Sequence, residues 1–72
     1  MLLKIVTHSI CSSTKRECQM TETFEDELTI QELVDKIIAN TDRHEIYNIP
    51  EVVTIITHNG NNVDVTVITK IS

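Results

Sequence analysis

The chain has 72 residues and a formal net charge of −5, with 40% hydrophobic and 24% charged residues. A chain of this length forms one domain, residues 1–72, and buries only about 60% of the surface that it exposes when unfolded. That size leaves little room for an enclosed active site, so we expect neither an enzyme nor a cofactor. Phe24 and Tyr47 are the only aromatic residues. Because the chain lacks stacking platforms for bases and its net charge repels phosphate, we expect no direct nucleic-acid binding.

The sequence also indicates the cellular compartment of the protein. No stretch approaches the roughly 20 consecutive apolar residues of a membrane span. The opening MLLKIVTHS has too short an apolar run for a secretory signal. Cys11 and Cys18 do not form a CxxC motif. These features predict a cytoplasmic protein that contacts no membrane and whose cysteines are reduced by default, although the two could face each other across a hairpin as a disulfide.

The first third of the chain predicts two strands. Residues 2–10, LLKIVTHSI, are rich in aliphatic and β-branched types, which favour a strand. Residues 17–24, ECQMTETF, alternate in polarity and predict a second strand. Their proximity suggests that the two form a hairpin.

A helix is predicted next. Thr29 is a suitable N-cap and Glu32 stands three positions later, which is the spacing of a capping box. Five aliphatic residues then follow at helical spacing and form one apolar stripe: Ile30, Leu33, Val34, Ile37 and Ile38. The helix should end near Asn40 or Thr41.

The last third predicts a loop followed by a hairpin. Residues 41–50, TDRHEIYNIP, are interpreted as a loop over one end of the core, and the NGNN stretch at 59–62 predicts a tight turn. Each turn that this stretch allows pairs even positions before it with odd positions after it. The face with more aliphatic residues is interpreted as the core; it holds Val52, Thr54, Ile56, Val63, Val65, Val67 and Ile71. The opposite face holds Val53, Ile55, Thr57, Asp64, Thr66, Ile68 and Lys70.

In this order and length the chain resembles a β-grasp, or ubiquitin-like, domain. The resemblance rests on the opening MLLKIVTH, on ECQMTETF and on the helix TIQELVDKIIA. It implies an α+β fold of ββαββ order, with one helix on one face of a mixed four-stranded sheet whose first and last strands are parallel neighbours. The chain ends ITKIS, without the two terminal glycines of ubiquitin and of sulfur carriers. The family property that remains implied is partner binding through the open face of the sheet.

The resemblance also points the first strand's odd positions inward and its even positions outward. Five aliphatic side chains would then form a patch on the open face: Leu2, Val6, Val53, Ile55 and Ile68. Such a patch on a small protein is typical of an interaction site. We therefore expect a protein-interaction or regulatory module that binds a protein partner, or a second copy of itself as a homodimer.

A second hypothesis comes from the acidic residues. Seven of them could imitate phosphates and occupy the basic groove of a nucleic-acid-binding protein, as inhibitors encoded by phages or mobile elements do: Glu22, Glu25, Asp26, Glu27, Glu32, Asp35 and Asp42. The alternative is a solvated helix face in which carboxylates favour the helix N-terminus. The three histidines have no ligand spacing, so no metal site is predicted.

Overall fold

The computed structural model describes residues 2–11 and 16–71, and the side chains of these residues other than 16–18. Over these residues the chain forms five strands and one helix. In chain order they are β1 (Leu3–Cys11), β2 (Arg16–Glu25), α1 (Ile30–Ile38), β3 (Arg43–Ile49), β4 (Val52–Asn59) and β5 (Asn62–Lys70). The α+β class predicted from the sequence is therefore correct.

The sheet differs from the prediction. Its strand order is β2-β1-β5-β4-β3, and every neighbouring pair is antiparallel. The mixed four-stranded sheet of a β-grasp domain, with β1 parallel to the last strand, is thus wrong. The predicted β1–β2 hairpin is present, with a β-bulge between the pairs Ser9–Gln19 and Ile10–Glu17, where no residue of β1 lies opposite position 18.

The cause is strand β3, in the segment 41–50 that was interpreted as a loop. Its residues RHEIYNI pair with β4 from Arg43 opposite His58 to Ile49 opposite Val52. One additional strand after the helix reverses the direction of each strand that follows it. β5 therefore runs antiparallel to β1 rather than parallel to it.

The helix begins as the sequence predicts. The Thr29 side chain accepts a hydrogen bond from the Glu32 amide at 3.2 Å, and Glu32 Oε1 accepts from the Thr29 amide at 3.4 Å. This reciprocal pair is a capping box, which satisfies two amides that the first turn leaves unpaired. The helix ends at Ile38, slightly earlier than predicted, and the Thr41 hydroxyl donates to the Ile38 carbonyl at 3.1 Å.

The topology requires the helix to cross one face of the sheet. β2 and β3, which the helix connects, are the two edge strands. Four strand spacings separate them, which is about 19 Å. A helix of nine residues covers about 13 Å of that path. The helical segment therefore spans the sheet from edge to edge and covers one of its two faces.

The core lies between this helix and three strands. Leu3, Ile55 and Ile68 are completely buried. Leu33 and Val34 of the helix pack against them together with Val53. The position of Val53, Ile55 and Ile68 on the open face was predicted wrongly, because the helix covers the face that holds them.

The matched pair Ile55 and Ile49 tests this assignment. Ile55 has no exposed surface, whereas Ile49 on the edge strand is 62% exposed. Removing one methylene from a buried isoleucine costs about 1 kcal/mol, and surface substitutions stay within about 0.5 kcal/mol. In dilute protein, we expect Ile55→Val to lower the free energy of unfolding in urea and Ile49→Val to leave it nearly unchanged. Equal losses would contradict the assignment of the faces.

Candidate functional site: the open face of the sheet

The face of the sheet that points away from the helix is called the open face here. The strand registers place it: Val67 of β5 lies opposite Val6 of β1 and Thr54 of β4, and Val65 lies opposite Ile56. Seven aliphatic residues at its centre are half-buried; they are Val6, Ile10, Val52, Ile56, Val63, Val65 and Val67. In the part of the chain that the structure describes, no helix or strand covers them.

Large apolar side chains extend the open face to both edges of the sheet. Phe24 and Met20 lie on β2, opposite Lys4 and His8 respectively. Tyr47 and Ile49 lie on β3, opposite Thr54 and Val52. All four are exposed, by 52% to 62%. They account for most of the large hydrophobic residues that the described chain exposes, so this exposure is concentrated on one face.

Among the side chains that the structure describes, the charges of the open face cancel. Lys4 and Glu22 form an ion pair at 3.8 Å on the β2 side. Arg43 and Glu45 lie two positions apart on β3. The remaining described acidic side chains lie on the helix side or in the connecting segments; they are Glu25, Asp26, Glu27, Glu32, Asp35, Asp42, Glu51 and Asp64. Only Lys36 and Lys70 oppose them there. The described open face is thus apolar and neutral, whereas the helix side and the connecting segments are acidic.

The structure separates the five residues predicted to bind a partner. Val6 lies on the open face, and Leu2 continues its register there, since the Leu2 carbonyl accepts a hydrogen bond from the Ile71 amide at 2.8 Å. Val53, Ile55 and Ile68 lie on the opposite face and are buried. The predicted patch therefore does not exist as a contiguous surface. The apolar surface that does exist is the set that the sequence pattern assigned to the core.

Several acidic residues of the second hypothesis accept hydrogen bonds from within the chain. Glu25 Oε1 accepts from the amides of Asp26 and Glu27 at 3.1 and 3.0 Å. Asp42 Oδ2 accepts from the Gly60 amide at 2.9 Å and so ties the segment after the helix to the β4–β5 turn. With Glu32 in the capping box, the fold itself uses several of these carboxylates. Glu22, the remaining strand residue of the seven, is paired with Lys4.

The cysteine prediction needs a correction. Cys11 is disulfide-bonded, so the expectation that the cysteines are reduced is wrong for this residue. The second cysteine of the chain, Cys18, belongs to β2 at a position whose side chain is not described.

Among the described residues, no three His, Cys, Asp or Glu side chains come together in an arrangement that could hold a metal ion. None of the described helices has the length and apolar character needed to cross a membrane.

Comparison of the chain with protein-family models, with curated proteins and with solved structures gave no match. No family assignment therefore accompanies the fold, and the β-grasp resemblance has no support beyond the coarse α+β class.

Tyr47 provides a spectroscopic probe on this face. Its hydroxyl donates a hydrogen bond to Glu45 Oε2 at 3.1 Å. This hydrogen bond, and secondly the negative charge of Glu45, raise the pKa of Tyr47 above its usual value of 10.0. Removing the proton would leave two negative charges side by side, which is why the neutral phenol is favoured.

We expect Glu45→Gln to lower the pKa of Tyr47 toward its usual value. The chain contains one tyrosine and no tryptophan, so phenolate absorbance during an alkaline titration reports Tyr47 alone. Glu22→Gln makes the same change of charge at the opposite edge of the sheet, about 19 Å away, and should have little effect. Identical titration curves for Glu45→Gln and the unmodified protein would contradict the hydrogen bond.

Proposed function

We propose that this protein is an interaction module that binds another protein chain through the open face of its sheet. One observation carries the proposal: an aliphatic surface with the composition of a core lies across three central strands, and no element of the described chain covers it. Burial of apolar surface contributes about 25 cal/mol for each Å² removed from water. A surface that is half-buried in the monomer gains this contribution only when a second chain covers it.

The pattern of the side chains favours a protein partner over other ligands. Large exposed apolar patches on small proteins are typical of protein interfaces, and aromatic residues and methionine are enriched there. Phe24, Met20 and Tyr47 at the two edges match this composition. The net charge of −5 disfavours contact with the phosphates of a nucleic acid. The two aromatic side chains also offer little surface on which bases could stack.

The phosphate-mimic alternative has less support. It requires an array of carboxylates that are available to a partner, whereas Glu25, Glu32 and Asp42 accept hydrogen bonds within the chain. Salt distinguishes the two modes. A complex driven by carboxylates weakens steeply as ionic strength rises, and a complex formed by the open face hardly changes.

The cellular compartment is a separate matter. The cytoplasmic location stays a prediction, and the disulfide at Cys11 argues for an oxidising compartment instead, because structural disulfides persist mainly outside the reducing cytoplasm.

Photocrosslinking from the open face tests the proposed function. Phe24 is 57% exposed, so the photoreactive analogue p-benzoylphenylalanine can replace it without displacing a buried group. We expect irradiation of cells that produce this variant to give a covalent adduct between the chain and a protein, whose identity mass spectrometry then establishes.

The control carries the same analogue at Gln31, an exposed residue of the helix on the other side of the sheet. We expect no comparable adduct there. The absence of an adduct at Phe24, or equal yields at the two positions, would contradict binding through the open face.

A further inference from the structure

We infer that the partner of the open face is a second copy of this chain, and that two sheets pack face to face as a symmetric homodimer. The inference rests on the proposed function and specifies its partner. Two such sheets with their helices outward would form a four-layer particle, in which the paired sheets resemble a β-sandwich with a spacing of about 10 Å. The area and the charge of the open face both support this arrangement.

The area of the open face matches the requirement of a stable dimer. Five strands spaced about 4.8 Å apart, each about 27 Å long for eight residues, give a face of roughly 650 Å². Two such faces bury roughly 1,300 Å², which exceeds the ~1,000 Å² that a specific interface needs.

The described charges favour contact between two identical chains on this face over contact on the helix side. Copies of a protein with net charge −5 repel each other through most orientations. Among the described side chains of the open face, Lys4 and Arg43 balance Glu22 and Glu45, and the acidic helix side points away. Face-to-face packing therefore keeps the two acidic surfaces on the outside of the dimer, at the largest separation that the particle allows. A partner with a basic surface would instead favour the helix side.

Symmetry identifies the residues at the centre. In a two-fold dimer the same patch of both chains meets itself, and side chains near the axis contact their own counterparts. β5 is the middle strand of the sheet, with two strands on each side. Val67 and Val65 point to the open face from this strand. They therefore lie nearest to the axis of a face-to-face dimer.

Complementary charges at Val67 test the inference by sedimentation velocity over a concentration series. The unmodified protein should sediment as a dimer at both low and high salt. Val67→Glu alone and Val67→Lys alone each place two like charges together at the axis and should raise the dissociation constant about a hundredfold. An equimolar mixture of the two variants should form a heterodimer again, because opposite charges then meet. Far-ultraviolet circular dichroism checks that each variant is folded.

Two further samples complete the design. Gln31→Glu and Gln31→Lys make the same changes of charge on the helix and should leave the dimer intact. Val67→Thr nearly preserves the shape of the side chain and should weaken the dimer about tenfold, which keeps the test valid if a charged variant does not fold. Pairing through the edge strands would be insensitive to all substitutions of Val67, because β5 lies two strands from either edge.

The outcomes separate this inference from the proposed function. A dimer that persists in folded Val67→Glu, or a mixture that stays monomeric, would overturn face-to-face pairing. A monomer at all concentrations, together with a Phe24 adduct to a different protein, would overturn self-association and leave the open face as the binding surface. A monomer without any Phe24 adduct would overturn both.

Discussion

The one helix that the structure describes covers only one face of the sheet, although both faces carry apolar side chains. The rest of the structure depends on this constraint. The helix of nine residues, Ile30–Ile38, covers the face that holds Leu3, Ile55 and Ile68. The other face carries valine and isoleucine side chains on β1, β4 and β5. A sheet covered on one side normally alternates between apolar residues facing the core and polar residues facing water. Here the central strands are apolar on both sides, which is typical of strands buried on both faces.

The path of the chain explains why the helix covers the face that it does. Because β2 and β3 are the edge strands, the segment between them crosses the sheet only once. The Asp42 amide donates a hydrogen bond to the His58 carbonyl at 2.9 Å, and Asp42 Oδ2 accepts one from Gly60. These contacts fix the far end of the crossing beside the β4–β5 turn, where Gly60 adopts a positive φ of 63°. The contacts of Asp42 thus tie the crossing to the sheet, and the cap at Thr29 fixes where the helix begins.

The covered face is not the more apolar of the two. Towards one end it contains buried threonines, and Thr66 Oγ1 lies 3.4 Å from Thr7 Oγ1. Asp64 and Lys70 belong to the same face. A monomer that optimised its own burial would place the helix over the valines instead. This placement is consistent with a fold whose second apolar layer is completed by another chain.

Local features of this fold could be predicted from sequence, and features that depend on the whole topology could not. The cap formed by Thr29 and Glu32 depends only on four consecutive residues. The start of the helix was therefore predicted correctly from the sequence. The odd and even pairing of β4 with β5 follows from the two-residue turn at Gly60 and Asn61, and it was also correct.

The choice of the covered face was inverted, because aliphatic content usually marks the core and here marks the open side. The prediction that Val53, Ile55 and Ile68 lie on the open face was wrong for this reason. β3 was missed because it is an edge strand exposed along its whole length, so neither of its faces shows a clear apolar pattern. The signal that was present was the β-favouring residues Ile46, Tyr47 and Ile49 before Pro50. Adding this strand reverses β4 and β5, which is why the parallel central pair was also wrong.

The most direct test of the central claim measures the solvent accessibility of methyl groups on both faces at once. A soluble paramagnetic compound broadens the nuclear magnetic resonance signals of exposed methyl groups and spares buried ones. The account predicts that the methyl groups of Ile55 and Ile68 are protected at every protein concentration. Those of Val65 and Val67 should be accessible in dilute protein and become protected as the concentration rises. Protected Val65 and Val67 beside accessible Ile55 and Ile68 in dilute protein would contradict the account, because the helix would then cover the other face.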